Sequence, residues 1–332
     1  MKSFNILFVV PSLKKMSFQS NLCQDYWPTF ATSVTTATVA GVLTLVTVPG
    51  NLLICWAVIK NPTRNLKTSF NYLVLNLAIA DLIIGAVTDP LFVGYHANEA
   101  LQNEVLKIQW LVHVSYFLTS TASVLSIVAL AVNRYQAVTS AGIQRSNLSR
   151  IAVISVLLWI FSLGLPLLYI PVGFYKLAFI FANASLVIAT AVLVFVYFRV
   201  YFNLKRHKRN CDHIRSSKEQ EKQAKRNEKA TNSLLLIIIS FVLCVFPSCV
   251  MVYVINLCHT CSCVLIHWFR DLQFLFLLVN AASNQFLYAW RMRSFQRAFK
   301  TITAVQWFAQ KLGRERNGPV PTASSQTTSS PV

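Results

Sequence analysis

The sequence predicts an all-α membrane protein: a seven-transmembrane helix bundle with a short C-terminal amphipathic surface helix. Three observations predict it. Charged residues make up 12% of the 332-residue chain against 55% hydrophobic, where a soluble domain carries about 25% charged. Seven charge-poor segments follow one another along the chain, each long enough for the roughly 20 residues that cross a bilayer. The segments lack the strict alternation of a membrane barrel strand, which leaves helices to satisfy the backbone inside lipid.

The third segment organises the others. It runs from Lys107 to Val138, with no charged side chain between Lys107 and Arg134. On the helical period Tyr116, Ser120, Ser123, Ile127 and Arg134 fall near one face. A face that carries hydroxyls inside lipid turns toward other helices, so this is a central span. Tyr116 and Arg134 are separated by about 27 Å of helix, enough to connect an outer pocket with the cytosolic surface.

The remaining spans read in order. The first covers about Phe30 to Ile59; the second covers about Thr68 to Tyr95 and is interrupted by Asp81 and Asp89. The fourth runs from Ile151 to Pro171, the fifth from Phe174 to about Phe202, the sixth from about Ala230 to Leu257, and the seventh from about Ile266 to Trp290. Residues 203–229 form the long connection, with Lys218 to Lys229 extending a helix below the sixth span. Arg291 to Ile302 reads as a basic amphipathic helix with Phe295, Phe299 and Ile302 on one side, the pattern of a helix lying on lipid. The organisation expected is an extracellular N-terminal tail over 1–29 (starting at either Met1 or Met16), a seven-span domain over 30–290, the surface helix over 291–305, and a disordered cytosolic tail over 306–332.

Charge fixes the orientation. The formal net charge is +19 with a pI near 9.9, a balance that often means nucleic acid. Here 24 of the 30 Lys and Arg lie in or beside the first, third and fifth connections and the C-terminal tail. That asymmetry is the positive-inside pattern, so no nucleic-acid partner is invoked. It puts the N-terminus outside and the C-terminus in the cytosol.

Ionisable residues inside a bilayer are costly and functional by default. Asp81 is the deepest. Asn51, Ser123, Asn280 and Asn284 can converge on it, and a carboxylate ringed by amide and hydroxyl oxygens can hold Na⁺. The plainer reading is an interhelical hydrogen-bond network that sets packing. No other cofactor is expected. Cys23, Cys258, Cys261 and Cys263 lie on the oxidising outer side and are disulfide candidates. Cys23 is expected to pair with one of the other three. An enzyme is not indicated, because no cluster of His, Asp and Glu at one depth suggests a metal centre. Asp81 and Asp89 are about 12 Å apart along one helix, too far to share a proton. A transporter or channel is the alternative, although neither repeat symmetry nor broken helices is visible.

Over residues 30–302 the chain resembles a rhodopsin-like (class A) G-protein-coupled receptor. The residues that carry the resemblance appear in order: Gly50-Asn51, then Leu77 to Asp81, Asn133-Arg134-Tyr135, Trp159, Tyr197, Phe241 and Pro247, Asn280, Asn284 to Tyr288, and Phe295. The resemblance implies a plasma-membrane receptor with a ligand pocket in the outer half and a heterotrimeric G protein on the inner face. It also implies an activation set of Asn133, Arg134, Tyr135, Tyr197, Pro247 and Tyr288, in which Arg134, Tyr197 and Tyr288 regroup. Arrestin and a receptor kinase are implied for the Ser/Thr-rich tail.

Departures narrow the group. Asn133 replaces the usual acid, Gln285 the usual proline, Val245 a tryptophan, Gln109 a cysteine, and Ala189 stands where the fifth span commonly has proline. The pattern is closest to the melanocortin, adenosine, cannabinoid and lysophospholipid receptors. Leu91, Gln109 and His113 occupy the places of the melanocortin pocket residues, so that subfamily itself is not assigned. Leu278 stands where an opsin has its retinal lysine. Tyr116 stands where amine receptors place an aspartate, so the usual amine salt bridge is missing. Asp89, His113, Tyr116, Phe117, Ser120, Ser248 and Phe274 are the expected lining of the outer pocket. This mostly apolar, aromatic set suits a small lipid or short peptide.

Overall fold

The computed structural model describes residue 23 and residues 26–62, 66–103, 106–139 and 148–168. It also describes most of 176–202, and 218–301 apart from 259 and 293. Within helices, the side chains of Arg134, of 218–234 and of 289–291 are among those outside this description. Tyr197, Ile302 and the Ser/Thr-rich tail lie outside the described residues.

Helix α1 spans Phe30–Lys60. It starts where the Thr29 hydroxyl accepts from the Thr32 N–H at 3.3 Å, an N-cap that satisfies one of the free donors of the first turn. It stops at Asn61, a left-handed residue with φ 45° whose N–H bonds to the Ala57 carbonyl, the helix-ending conformation that Asn tolerates. The Asn61 side chain then accepts from the Leu66 N–H, and Asn71 Nδ2 donates to the Leu66 carbonyl. The inner connection is thereby tied to the next helix.

Helix α2 covers Ser69–Ala100. It is built as α-helix to Ile83, a π-helical turn over Ile84–Thr88, and α-helix from Asp89. The turn precedes Pro90, which cannot donate and sits in the first turn of the outer half, where no helical donor is required. The span thus reaches a turn beyond the Tyr95 expected from sequence. His96 and Glu99 are consequently carried into the bundle instead of into a loop.

Helix α3 covers Leu106–Thr139. The face predicted to look inward does so: Tyr116, Ser120, Ser123 and Ile127 are all buried. Helix α4 is described over Leu148–Gly164, with a 3-10 turn at Leu165–Leu168. Helix α5 is helical wherever it is described between 176 and 202. Helix α6 covers Lys218–Leu257 and does extend the sixth span inward, as its charged N-terminal half predicts. Helix α7 covers Cys263–Arg291 and begins one turn earlier than expected, with Ser262 as N-cap. Residues 294–301 form α8, and its Phe295 and Ala298 are fully buried beside Tyr288 of α7.

Five described helices are long and apolar enough to cross a membrane: α1, α2, α3, the Leu235–Leu257 part of α6, and α7. Their inward faces form two cores. The inner one contains Leu73, Leu77, Leu130, Phe241 and Tyr288; the outer one contains Phe92, Tyr116, Phe117, Phe274 and Leu278. Polar ties pin the crossings. Asn76 Nδ2 donates to Ser126 Oγ at 2.7 Å while its Oδ1 accepts from Trp159 Nε1 at 3.0 Å. One buried amide thus joins α2, α3 and α4. In a medium without water such a pairing also orients the helices, because the alternative is an unsatisfied amide.

Candidate functional site

Two disulfides shape the outer end. Cys23 pairs with Cys263, and Cys258 pairs with Cys261. The expectation for Cys23 is met. The tail it anchors is further held by the Tyr26 carbonyl, which lies 2.9 Å from His267 Nε2.

Inside this rim opens a shallow cleft lined by Phe92, Tyr95, Gln109, Val112, His113, Arg270, Asp271 and Phe274. The cleft has an aromatic floor. Phe274 stacks on Phe92 at 5.1 Å and lies 4.3 Å from the Tyr116 ring, while His113 faces it at 6.2 Å. Phe274 therefore joins the cleft wall to the buried face of α3.

The structure places the seven expected pocket residues at two levels. His113 and Phe274 line the cleft. Tyr116, Phe117, Ser120 and Ser248 are buried beneath it, with Ser248 donating to the Gln273 carbonyl at 3.2 Å. Asp89 is fully buried, and among the described residues neither of its carboxylate oxygens has a hydrogen-bond partner; it makes no capping bond at the start of the outer half of α2.

Sequence reasoning missed a cluster beside the cleft. Arg270 donates from Nη2 to Glu99 Oε1 at 2.9 Å and from Nε to Asp271 Oδ1 at 2.8 Å. Ser33 donates to Glu99 Oε2 at 2.8 Å, and Thr36 donates to Asp271 Oδ2 at 3.2 Å. His96 Nδ1 lies 2.8 Å from Glu99 Oε2. These groups clasp α1, α2 and α7 together. The expectation of no His/Asp/Glu cluster at one depth is therefore corrected: ligand atoms of His96, Glu99 and Asp271 lie within 4.8 Å of one another. The error came from ending the second span at Tyr95. The signal was available, since Phe92, His96 and Glu99 continue the helical period from Asp89.

A second polar centre lies deeper. Asn284 Nδ2 donates to Asp81 Oδ2 at 2.9 Å. Among the described residues, Asp81 Oδ1, Asn51 Oδ1, Ser123 Oγ and Asn284 Oδ1 are buried without a hydrogen-bond partner, as is Asn280 Nδ2. Buried oxygens without donors are the ligand type that a small hard cation takes. Nearby, Gln285 of α7 is packed on Gly50 of α1 and donates from Nε2 to the Val46 carbonyl at 2.8 Å.

Of the residues expected to act at the inner end, Asn133 and Tyr135 are half-buried, Tyr288 is fully buried with no partner for its hydroxyl among the described residues, and Pro247 lies within α6. Tyr135 lies 5.5 Å from the Phe195 ring.

Comparison with known proteins agrees with this architecture. Residues 50–176 match the family described as 7 transmembrane receptor (rhodopsin family). The chain is 35% identical to a 5-hydroxytryptamine receptor of Lymnaea stagnalis over 152 residues, 43% of this chain and 29% of that protein. It is 36% identical to a 5-hydroxytryptamine receptor 2A of Drosophila melanogaster over 123 residues, 36% of this chain and 14% of that protein. It is 25% identical to a Histamine H2 receptor of Cavia porcellus over 252 residues, 68% of this chain and 67% of that protein. The matched part thus spans less than a third of the first two relatives' length.

Proposed function

From the match of residues 50–176 to the rhodopsin-like family of seven-transmembrane receptors, we infer that the chain is such a receptor, that it binds an extracellular ligand in the outer cleft and that it activates a heterotrimeric G protein at its inner face. The observation that carries the ligand site is the aromatic floor. Phe274 lines the cleft and touches Tyr116 of the central helix α3, so an occupant that moves Phe274 presses on the helix that runs to the cytosolic side. A ligand acts only through contacts that differ between two receptor states.

The relatives are described as receptors for 5-hydroxytryptamine and histamine. A monoamine ligand would need a free carboxylate here. Tyr116 supplies none, and Asp271, the acid in the cleft wall, already accepts from Arg270. A short peptide or small lipid, with apolar surface for Phe92 and Phe274 and polar groups for Gln109 and Arg270, suits the lining better. The test is a G-protein activation screen across peptides, lipids and monoamines, repeated with Phe274→Ala and Tyr116→Ala. The expected result is a peptide or lipid agonist whose potency falls at least about tenfold, or roughly 1.4 kcal/mol, in both variants. Activation by monoamines alone, unchanged by both substitutions, would overturn the ligand class.

Na⁺ is proposed at Asp81, with Asn51, Ser123, Asn280 and Asn284 as the surrounding polar groups. The ion would supply positive charge to a buried carboxylate. Asp81→Asn should abolish any sodium dependence of agonist affinity. At the other end, Thr322, Ser324, Ser325, Thr327, Thr328, Ser329 and Ser330 are proposed as receptor-kinase sites. Each phosphate adds about −1.5 to −2 charges, making an anionic stretch for arrestin. Arrestin recruitment that survives truncation at Gly313 removes that role.

A further inference from the structure

We propose that the Cys258–Cys261 disulfide is a site of thiol–disulfide exchange: a latch that ties the outer ends of α6 and α7 and releases them when a dithiol reduces it. Helix α6 ends at Leu257, and α7 begins at Cys263 with Ser262 as its N-cap. The Cys258 N–H still donates to the Val254 carbonyl at 2.9 Å, as a last helical residue does. Cys261 immediately precedes the cap. The bond therefore joins the two helix ends across nearly the whole connection. Its Cα atoms are 5.7 Å apart, whereas the same stretch of chain, once open, reaches about 10 Å. Breaking this one bond lets the tip of α6 move away from α7.

The part of α6 held in this way is an arm. Pro247 lies inside α6 and cannot donate to the carbonyl four residues earlier, which weakens the helix at that point. The next residue, Ser248, donates to the Gln273 carbonyl of α7 at 3.2 Å. From Ser248 to Cys258 the arm runs for about 15 Å of helix. It is fastened to α7 at its base by Ser248 and at its tip by the disulfide. Between them Tyr253 rests on α5, against the Phe179 ring and Asn183 Oδ1.

The two disulfides of the outer end differ in access and in loop length. Cys258 and Cys261 are both partly exposed, while Cys23 is buried. Exchange requires access to a sulfur, and exposed disulfides are the labile ones. A dithiol's thiolate attacks one of the two sulfurs, the S–S bond breaks, and the other cysteine leaves as a thiolate that takes up a proton. The second thiol of the reductant then attacks the mixed disulfide and frees the first cysteine. The reductant leaves as its own disulfide, and two electrons and two protons have passed to the cysteine pair. The sequence separation is 3 here against 240 for Cys23–Cys263. Closing so short a loop restricts the unfolded chain little, so the reduced protein stays folded. The freed thiols also remain neighbours, and an oxidised dithiol runs the same exchange backwards.

The effect on signalling rests on the receptor reading above; the reducibility of the bond does not. The experiment titrates the full chain in lipid nanodiscs with dithiothreitol, traps freed thiols with a maleimide and maps the labelled peptides. Cys258 and Cys261 should label at a dithiothreitol concentration about tenfold below the one that opens Cys23–Cys263. In that partly reduced state amide exchange over residues 249–258 should rise about tenfold while the inner core keeps its protection. Oxidised dithiothreitol should reverse both changes. Basal G-protein activation should rise about twofold on reduction, because the freed arm admits arrangements that the bond excludes. The double variant Cys258→Ser with Cys261→Ser should show the raised exchange and activation without reductant and should not respond to it. The reversible wild-type measurement decides the matter if that variant fails to fold. Opening of Cys23–Cys263 first or at the same concentration overturns the latch, as does exchange over 249–258 that reduction leaves unchanged. If exchange rises and no G protein is activated in either state, the receptor reading fails and the latch stands. G-protein activation that is present but unchanged or lowered by reduction overturns its effect on signalling.

Discussion

Gly50 and Gln285 explain each other. A Cβ on Gly50 would lie 1.4 Å from Gln285 Oε1, so the long amide in α7 is accommodated only because α1 has no side chain at that point. Pro49, inside the same helix, cannot donate to the carbonyl four residues earlier. The carbonyl left free is that of Leu45, and Gln285 donates to the next one, of Val46. Gln285 is therefore a helix–helix fastener. Gly50→Ala should displace it and cost about 1–3 kcal/mol, the range for overfilling a packed interior. Gln285→Ala alone should cost about 1 kcal/mol for the lost bond. The double variant should be more stable than the sum predicts, because the alanine methyl then has room. Thermal melting of the four proteins in detergent measures this; strict additivity would show that the two side chains do not meet.

At the scale of elements, the outer end is built by fastening chain segments distant in sequence. Cys23 and Cys263 are separated by 240 residues, and the bond holds the tail over the N-terminus of α7. A cross-link acts mainly by restricting the unfolded chain, with typical values of about 2–4 kcal/mol. Cys23→Ser should lower the melting temperature and raise amide exchange around residues 23–29 and the first turn of α7. It should also weaken ligand binding, since His267 would lose its tail contact. Cys261→Ser closes no long loop and should change the melting temperature much less. Equal losses from the two substitutions would place the stabilisation in local geometry instead of the tail anchor.

The element scale is also where sequence reading succeeded and failed. Long apolar runs located the spans because lipid demands continuous length. The inward face of α3 was legible because Tyr and Ser recur on the helical period. The outer limits of α2 and α7 were not, because the polar residues that end an apolar run there are buried by one another. Glu99 looks like a loop charge, and Arg270 and Asp271 like stray charges near the start of the seventh span, until Ser33 and Thr36 of α1 are brought beside them. The pocket was partly legible for the same reason: aromatic residues signal an outer core, but whether Phe117 or Phe274 faces the cleft depends on how three helices cross.

For the whole molecule, the proposed receptor function rests on a balance between two arrangements of the bundle, and the inner end carries a departure from the pattern the chain resembles. In the receptors this chain resembles, an acid precedes the arginine at the foot of the third span and helps to hold it in the resting arrangement. Here that neighbour is Asn133, which accepts hydrogen bonds but carries no charge. Asn227 occupies the place of the usual second acid at the foot of α6, with Glu228 one residue on. Hydrogen bonds to a charged partner are about twice as strong as neutral ones. Losing one charge should shift the balance by about 1 kcal/mol, roughly fivefold in population. Gln285 acts in the opposite sense. It fastens α7 to α1, and Val245 puts a small side chain in α6 where the receptors this chain resembles commonly have tryptophan. The expected net outcome is raised signalling without ligand. The measurement is basal G-protein activation at matched surface expression, wild type against Asn133→Asp. The aspartate should lower basal activity several-fold, and Gln285→Pro should raise it. Equal or higher basal activity in Asn133→Asp would mean that the resting state of Arg134 is set by a partner other than its neighbour. Glu228 is then the first residue to test, by Glu228→Gln in both backgrounds.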